Sequence, residues 1–117
     1  MTAIIREERI GDCRLILGDC LEVMPLLGKV DAVVTDPPYG INYDKQAAKA
    51  SGKRGLAAFK TIYRDTEWDS EPCSKDTLDA IMSISQHQII FGGNYFELPP
   101  TRCWLIWDKE NGDTNFA

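Results

Sequence analysis

Apolar residues occur along this chain in short runs separated by polar segments, a spacing typical of proteins that alternate strands and helices. Four apolar runs predict strands, at 15–17, 30–35, 88–91 and 103–107. The first follows a predicted hairpin tip at 9–14, where Gly11-Asp12 suits a two-residue turn. The run at 30–35 is nearly continuous in β-branched residues, which indicates a parallel strand buried on both faces. The pattern therefore predicts an α/β fold with a mostly parallel sheet and a core strand at 103–107.

Two helices are predicted between these strands. Asp19 is placed to cap the first helix, and Gly28 is placed to end it. Ser74 is placed to cap the second helix, whose apolar face carries Leu78 and Ile81. A long segment without clear periodicity, 41–72, joins the two halves of this pattern, and a connection of that length is usually a functional or a disordered loop.

Composition places the chain among ordinary globular proteins. Its 117 residues, 44% hydrophobic and 26% charged, fit one domain spanning 1–117. No apolar run is long enough to cross a membrane, and charged residues occupy 6–9, where a signal peptide would be apolar. A cytoplasmic location is therefore expected. The four cysteines form no C-x-x-C pair and the chain has one histidine, so no metal site is predicted.

Charge is distributed unevenly along the chain. The net charge is −5, yet the stretch 45–64 contains six basic residues and no acidic one. A basic segment on an acidic body favours contact with nucleic-acid phosphates, and a solvated loop without a ligand is the alternative interpretation. The candidate phosphate-binding residues are Lys45, Lys49, Lys53 and Arg54, with Lys109 beyond the last predicted strand.

Asp36-Pro37-Pro38-Tyr39, here named the DPPY turn, directly follows the predicted strand at 30–35. Open α/β sheets bind ligands beyond the carboxyl ends of their strands. Asp36 and the Pro37 carbonyl offer two hydrogen-bond acceptors, the prolines stiffen the turn, and Tyr39 offers a stacking face. Two acceptors and an aromatic face suit an exocyclic amino group on a planar base. Accepting both N–H bonds frees the nitrogen lone pair for reaction, and a base in a duplex must flip out to reach such a turn.

The segment Val34 to Gly40 resembles the catalytic motif of the DNA amino-methyltransferases that modify adenine N6 and cytosine N4. Three further segments, Leu17 to Met24, Gly92 to Phe96 and Trp104 to Lys109, resemble other parts of this family. The resemblance implies a Rossmann-like fold, S-adenosylmethionine as cofactor, double-stranded DNA as partner and adenine N6 as target. It also implies that Asp36, Pro37, Pro38 and Tyr39 are catalytic, and that Asp19, Cys20 and Asp36 contact the cofactor.

One family element has no good match in this chain. Family members carry a Phe-x-Gly-x-Gly loop for the methionine end of the cofactor, and Phe91-Gly92-Gly93-Asn94-Tyr95 fails at the last glycine. The resemblance therefore implies a partial catalytic domain, with a homodimer or a completing partner chain as expectations.

Several alternatives remain open at this point. They are methylation of cytosine N4, of RNA or of a glutamine amide, and a non-catalytic module that depends on a partner. The DPPY turn is otherwise a plain turn or a ligand for a proline-binding domain, and Asp19 is otherwise only a helix cap.

Overall fold

The computed structural model describes residues 2–43, 67–108 and 110. Strands and helices alternate along these residues, which confirms the α/β class. The strands are β1 (Ile4–Ile10), β2 (Cys13–Gly18), β3 (Val30–Thr35) and β4 (Ser85–Ile90). The helices are α1 (Cys20–Leu27) and α2 (Lys75–Ile84), and a short 3-10 turn covers Gly93–Tyr95.

The two N-terminal strands form the predicted hairpin. β1 and β2 are antiparallel, and Ile10 pairs with Cys13 across a two-residue turn. Gly11 has φ +57°, a backbone conformation that glycine adopts without strain. β1 and β2 pair only with each other among the described strands, so the prediction of one mostly parallel sheet is wrong for this part of the chain.

The second sheet is the parallel pair of β3 and β4. Val30 pairs with Ser85 and Thr35 with Ile90, so the carboxyl ends of both strands lie at the same edge. β4 begins three residues before the predicted start at 88. This parallel pair places the DPPY turn, which follows β3, next to Phe91 and Gly92, which follow β4.

Both predicted helix caps are confirmed. The Asp19 carboxylate accepts a hydrogen bond from the Leu21 N–H at 2.9 Å, and Gly28 ends α1 with φ +71°. The Ser74 hydroxyl accepts from the Thr77 N–H at 3.2 Å. These bonds satisfy N–H groups that have no partner within the helix.

A small apolar core lies where α1 packs against α2. Its buried members are Val23, Met24, Leu78 and Ile81. The expectation that β3 is buried on both faces is wrong, because Val34 remains 66% exposed and its partner Ile89 remains 45% exposed. A two-stranded sheet that is covered on one face leaves every second side chain in water.

The predicted core strand at 103–107 is also wrong. This segment belongs to no strand of the described structure, and its Leu105 and Ile106 are 75% and 91% exposed. A strand needs a neighbour to pair with, and the parallel sheet described here contains only β3 and β4. None of the described helices has the length and apolar character needed to cross a membrane.

Candidate functional site

The DPPY turn begins where β3 ends. The Thr35 carbonyl accepts a hydrogen bond from the Phe91 N–H at 3.0 Å, so the last ladder bond ties the turn to the end of β4. Pro37 and Pro38 carry no N–H and stop the ladder at this point. The turn therefore lies at the carboxyl edge of a parallel pair, which is the position that the sequence predicted.

The Asp36 carboxylate is exposed and is oriented by its own turn. The Tyr39 hydroxyl donates a hydrogen bond to Asp36 Oδ1. Burial of the phenol, followed by the bond to Asp36, raises the pKa of Tyr39 well above its ordinary value. Tyr39 therefore remains a protonated donor at neutral pH and holds one Asp36 oxygen, and no described residue donates to the other.

The two proline carbonyls have different surroundings. The Pro38 carbonyl accepts from the Cys73 N–H at 2.9 Å, next to a bridge between Tyr39 and Pro72. No described residue donates to the Pro37 carbonyl. The segment around Cys73 thus braces the turn through Pro38, and Pro37 itself is buried. The acceptor role of the Pro37 carbonyl stays a prediction.

The Tyr39 ring is already stacked within the chain. Tyr95 lies parallel to it, with ring centroids 4.8 Å apart and an interplanar angle of 9°. Phe96 meets the same ring at a tilt, 6.0 Å away. The expectation of an open stacking face is therefore correct for at most one side of Tyr39, because Tyr95 covers the other.

Gly92 lets the chain approach this ring closely. Its φ is +67°, and a Cβ atom added there would lie 2.2 Å from Tyr39 Cε1. Real Cβ atoms do not approach other heavy atoms so closely. The glycine after β4 is therefore required by the position of Tyr39.

Asp69 is the residue of this site that sequence reasoning missed. It is 1% exposed, and its two carboxylate oxygens accept from the Gly40 N–H at 2.8 Å and the Tyr43 N–H at 2.9 Å. Its backbone carbonyl accepts from the Asn42 N–H at 2.9 Å. Asp69 lies in a stretch without periodicity about thirty residues beyond the turn, so no local pattern connects it to the site.

The candidate cofactor residues Asp19 and Cys20 lie at the start of α1. One Asp19 oxygen caps the helix and the side chain is exposed, so a helix cap and a ligand contact are compatible there. Burial raises the pKa of the Cys73 thiol, and the nearby Cys20 raises it further. Cofactor contact by Asp19 and Cys20 stays a prediction.

Comparisons with protein-family models, with curated proteins and with solved structures found no match.

The described residues fit S-adenosylmethionine only in part. Asp19 offers an exposed carboxylate to a hydroxyl or amino donor such as the adenosyl part carries. The nearest match to a glycine loop, around Gly92, is packed against Tyr39 instead of forming an open cradle. Residues 91–95 therefore do not form the open glycine loop that would hold the methionine end.

The remaining predicted site residues are the basic ones. Lys45, Lys49, Lys53, Arg54 and Lys109 lie outside the described residues, so their contact with phosphates stays a prediction. Within the described ranges, no group of three or more acidic, histidine or cysteine side chains is arranged to hold a metal ion.

Proposed function

We propose that this chain is an S-adenosylmethionine-dependent DNA methyltransferase whose target is the N6 amino group of adenine. The fold proposed for it is Rossmann-like, with the β3–β4 pair as part of its parallel sheet. The observation that supports this most is the DPPY turn at the carboxyl edge of that pair, where the Tyr39 hydroxyl orients Asp36 and no described residue donates to the Pro37 carbonyl.

The chemistry follows from these two acceptors. The free Asp36 oxygen and the Pro37 carbonyl accept the two N–H bonds of the amino group, which moves the nitrogen lone pair out of conjugation with the ring. The cofactor supplies an electrophilic methyl group. Bound S-adenosylmethionine would release the methyl group by breaking its C–S bond, with the electron pair staying on sulfur as a neutral thioether. The Asp36 carboxylate stabilises the positive charge that develops on the amino nitrogen and accepts the proton that leaves it.

Tyr39 has two tasks in this proposal. Its hydroxyl holds Asp36 in place, and its ring is the surface on which the flipped base stacks. Because Tyr95 covers one face of the ring, the base takes the opposite face or replaces Tyr95. Holding the base against a fixed plane supplies the orientation that methyl transfer needs.

DNA contact is proposed for the basic segment. A flipped base brings its flanking phosphates close to the turn that binds it, and the segment 45–64 follows that turn in the chain with six positive charges. Lys109, which follows Trp104 to Asp108, is a further candidate for contact with a phosphate or with the base.

A second candidate function is a non-catalytic module that requires a partner. It is favoured by the exposure of Trp104 (64%), Ile106 (91%) and Trp107 (74%), since neighbouring exposed apolar side chains mark interaction surfaces. The mismatch of Phe91 to Tyr95 with the family's glycine loop also favours it.

The experiment that tests the proposal is incubation of the chain with methyl-labelled S-adenosylmethionine and unmethylated DNA, followed by identification of the labelled nucleoside. The proposal predicts N6-methyladenine. Label in N4-methylcytosine, in RNA or in a glutamine amide of a protein substrate would assign the same turn to one of the alternative targets. Label that appears only after a second chain is added supports the partner-dependent module.

A further inference from the structure

A buried carboxylate holds the backbone that leaves the DPPY turn. Asp69 is 1% exposed. Aspartate is rarely buried to this extent unless its charge is compensated. Removing a carboxylate from water is costly, and hydrogen bonds from backbone N–H groups offset that cost. The compensation comes from Gly40 and Tyr43, which bind one carboxylate oxygen each at 2.8 and 2.9 Å.

The backbone after Tyr39 is shaped to receive this carboxylate. Gly40 and Asn42 both have positive φ, +74° and +54°. Alternating backbone conformations of this kind turn N–H groups toward one point and form a concave anion site. The anion in this site is Asp69 of the same chain, and the Asn42 N–H adds a bond of 2.9 Å to the Asp69 carbonyl.

Residues 72 and 73, which follow Asp69 closely in the chain, contact the DPPY turn itself. Cys73, four residues after Asp69, donates to the Pro38 carbonyl at 2.9 Å, and Pro72 bridges to Tyr39. Gly40 packs so closely against Pro72 that a Cβ atom at Gly40 would lie 2.6 Å from the Pro72 nitrogen. Residues 69–73 therefore fix the backbone on both sides of Tyr39.

We infer that Asp69 is a positioning residue, which holds the backbone after the DPPY turn so that the Tyr39 hydroxyl reaches Asp36. The inference rests on the proposed function for its catalytic meaning, whereas its structural content can be tested without catalysis. Asp69 contacts the backbone of Gly40, Asn42 and Tyr43, and it acts on the DPPY turn through Gly40 and Tyr39.

The test compares Asp69→Asn with Asp12→Asn, which makes the same change at an exposed site in the hairpin turn. Asp69→Asn places an amide NH2 against a backbone N–H and removes the buried charge. With far-UV circular dichroism unchanged, Tyr39 should lose its regular stack on Tyr95, seen as loss of near-UV dichroism, and its phenol pKa should fall toward the ordinary value. Asp12→Asn should change neither signal.

The catalytic arm measures methyl transfer in a double-mutant cycle with Tyr39→Ala. Asp69→Asn alone should slow transfer about tenfold or more, the rate equivalent of losing one hydrogen bond to a charged group. In the Tyr39→Ala background the same change should have little further effect, because the element through which Asp69 acts is already gone. Equal effects in both backgrounds would overturn the positioning role.

One result separates the inference from the proposed function. If the unmodified chain transfers no methyl group but Asp69→Asn alters the Tyr39 signals, the positioning role stands and the proposed function fails.

If Asp69→Asn does not fold, hydrogen exchange of the unmodified chain tests the positioning role instead. The Gly40 and Tyr43 amides should exchange far more slowly than that of the exposed Gly11, and equally fast exchange would overturn the inference.

Discussion

Replacing Gly92 with alanine should destabilise the folded chain, because the new Cβ atom would clash with the Tyr39 ring. The new Cβ would lie 2.2, 2.6 and 2.7 Å from Cε1, Cζ and Cδ1 of that ring, and the residue would keep φ near +67°. Tyr39 cannot move away freely, because Tyr95 stacks on its face and its hydroxyl is bonded to Asp36. Either the ring or the backbone after β4 must therefore shift.

The magnitude has two parts. A non-glycine residue in the left-handed region costs about 1–2 kcal/mol, and forcing extra atoms into a packed site costs about 1–3 kcal/mol more. The free energy of unfolding should therefore fall by about 2–5 kcal/mol, and the Tm by at least about 8 °C for a domain of this size. Gly11→Ala is the matched control, since Gly11 also has positive φ, +57°, and nothing lies within 4 Å of its added Cβ.

The assay is urea and thermal unfolding of both variants, with Gly92→Ala repeated in a Tyr39→Ala background. Gly92→Ala should cost more than Gly11→Ala, and the difference should largely disappear once the ring is removed. Equal losses for the two glycine variants would refute the claim that the backbone after β4 is fitted to Tyr39.

Three further results are expected. Spectrophotometric titration should show that the Tyr39 phenol, identified by comparison with Tyr39→Phe, ionises well above the ordinary tyrosine pKa of about 10. Because this pKa is raised in the folded state, the stability that the phenol contributes is present below about pH 10 and is lost at higher pH. Asp36→Asn should reduce the rise in the Tyr39 pKa, because the bond to Asp36 is one of its causes. In urea unfolding, Ile81→Ala should lower the free energy of unfolding by about 2–5 kcal/mol and Ile106→Ala by less than about 0.5 kcal/mol, because the first side chain is 5% exposed and the second 91%. Similar losses for the two variants would mean that the 103–107 segment is packed. When alanine replaces Lys45, Lys49, Lys53 and Arg54, the logarithmic salt dependence of DNA binding should become shallower by up to about 0.9 for each phosphate that the variant no longer neutralises, and an unchanged slope would contradict phosphate binding by the basic segment.

Local signals in the sequence predicted local structure well. The turn at Gly11, the caps at Asp19 and Ser74, and the end of β3 at the DPPY turn each depend on residues a few positions apart. Such features follow from backbone geometry and short hydrogen bonds, which one sequence window contains. The position of the DPPY turn at a sheet edge was predictable for the same reason.

Features that depend on distant residues were not predictable. An apolar run at 103–107 indicates that burial would be favourable, but burial requires a neighbouring strand that the described sheet lacks. Asp69 reaches Gly40 across 29 positions, and Tyr95 reaches Tyr39 across a separate element. Nothing in the spacing of these residues signals that they meet, so the stacked ring and the buried carboxylate emerge only from the fold.

Methyl transfer to an amino nitrogen bound at the DPPY turn should depend on the Asp36 carboxylate, and the Asp36→Ala variant tests this. The exposed Asp36 side chain has Tyr39 as its hydrogen-bond partner among the described residues, so the variant should keep its far-UV circular dichroism. The measurement is the initial rate of label transfer from S-adenosylmethionine to adenine in DNA, for the unmodified chain and the variant side by side. We expect transfer by the unmodified chain and none detectable in Asp36→Ala, whereas near-normal transfer in the variant would show that Asp36 is not required for the reaction.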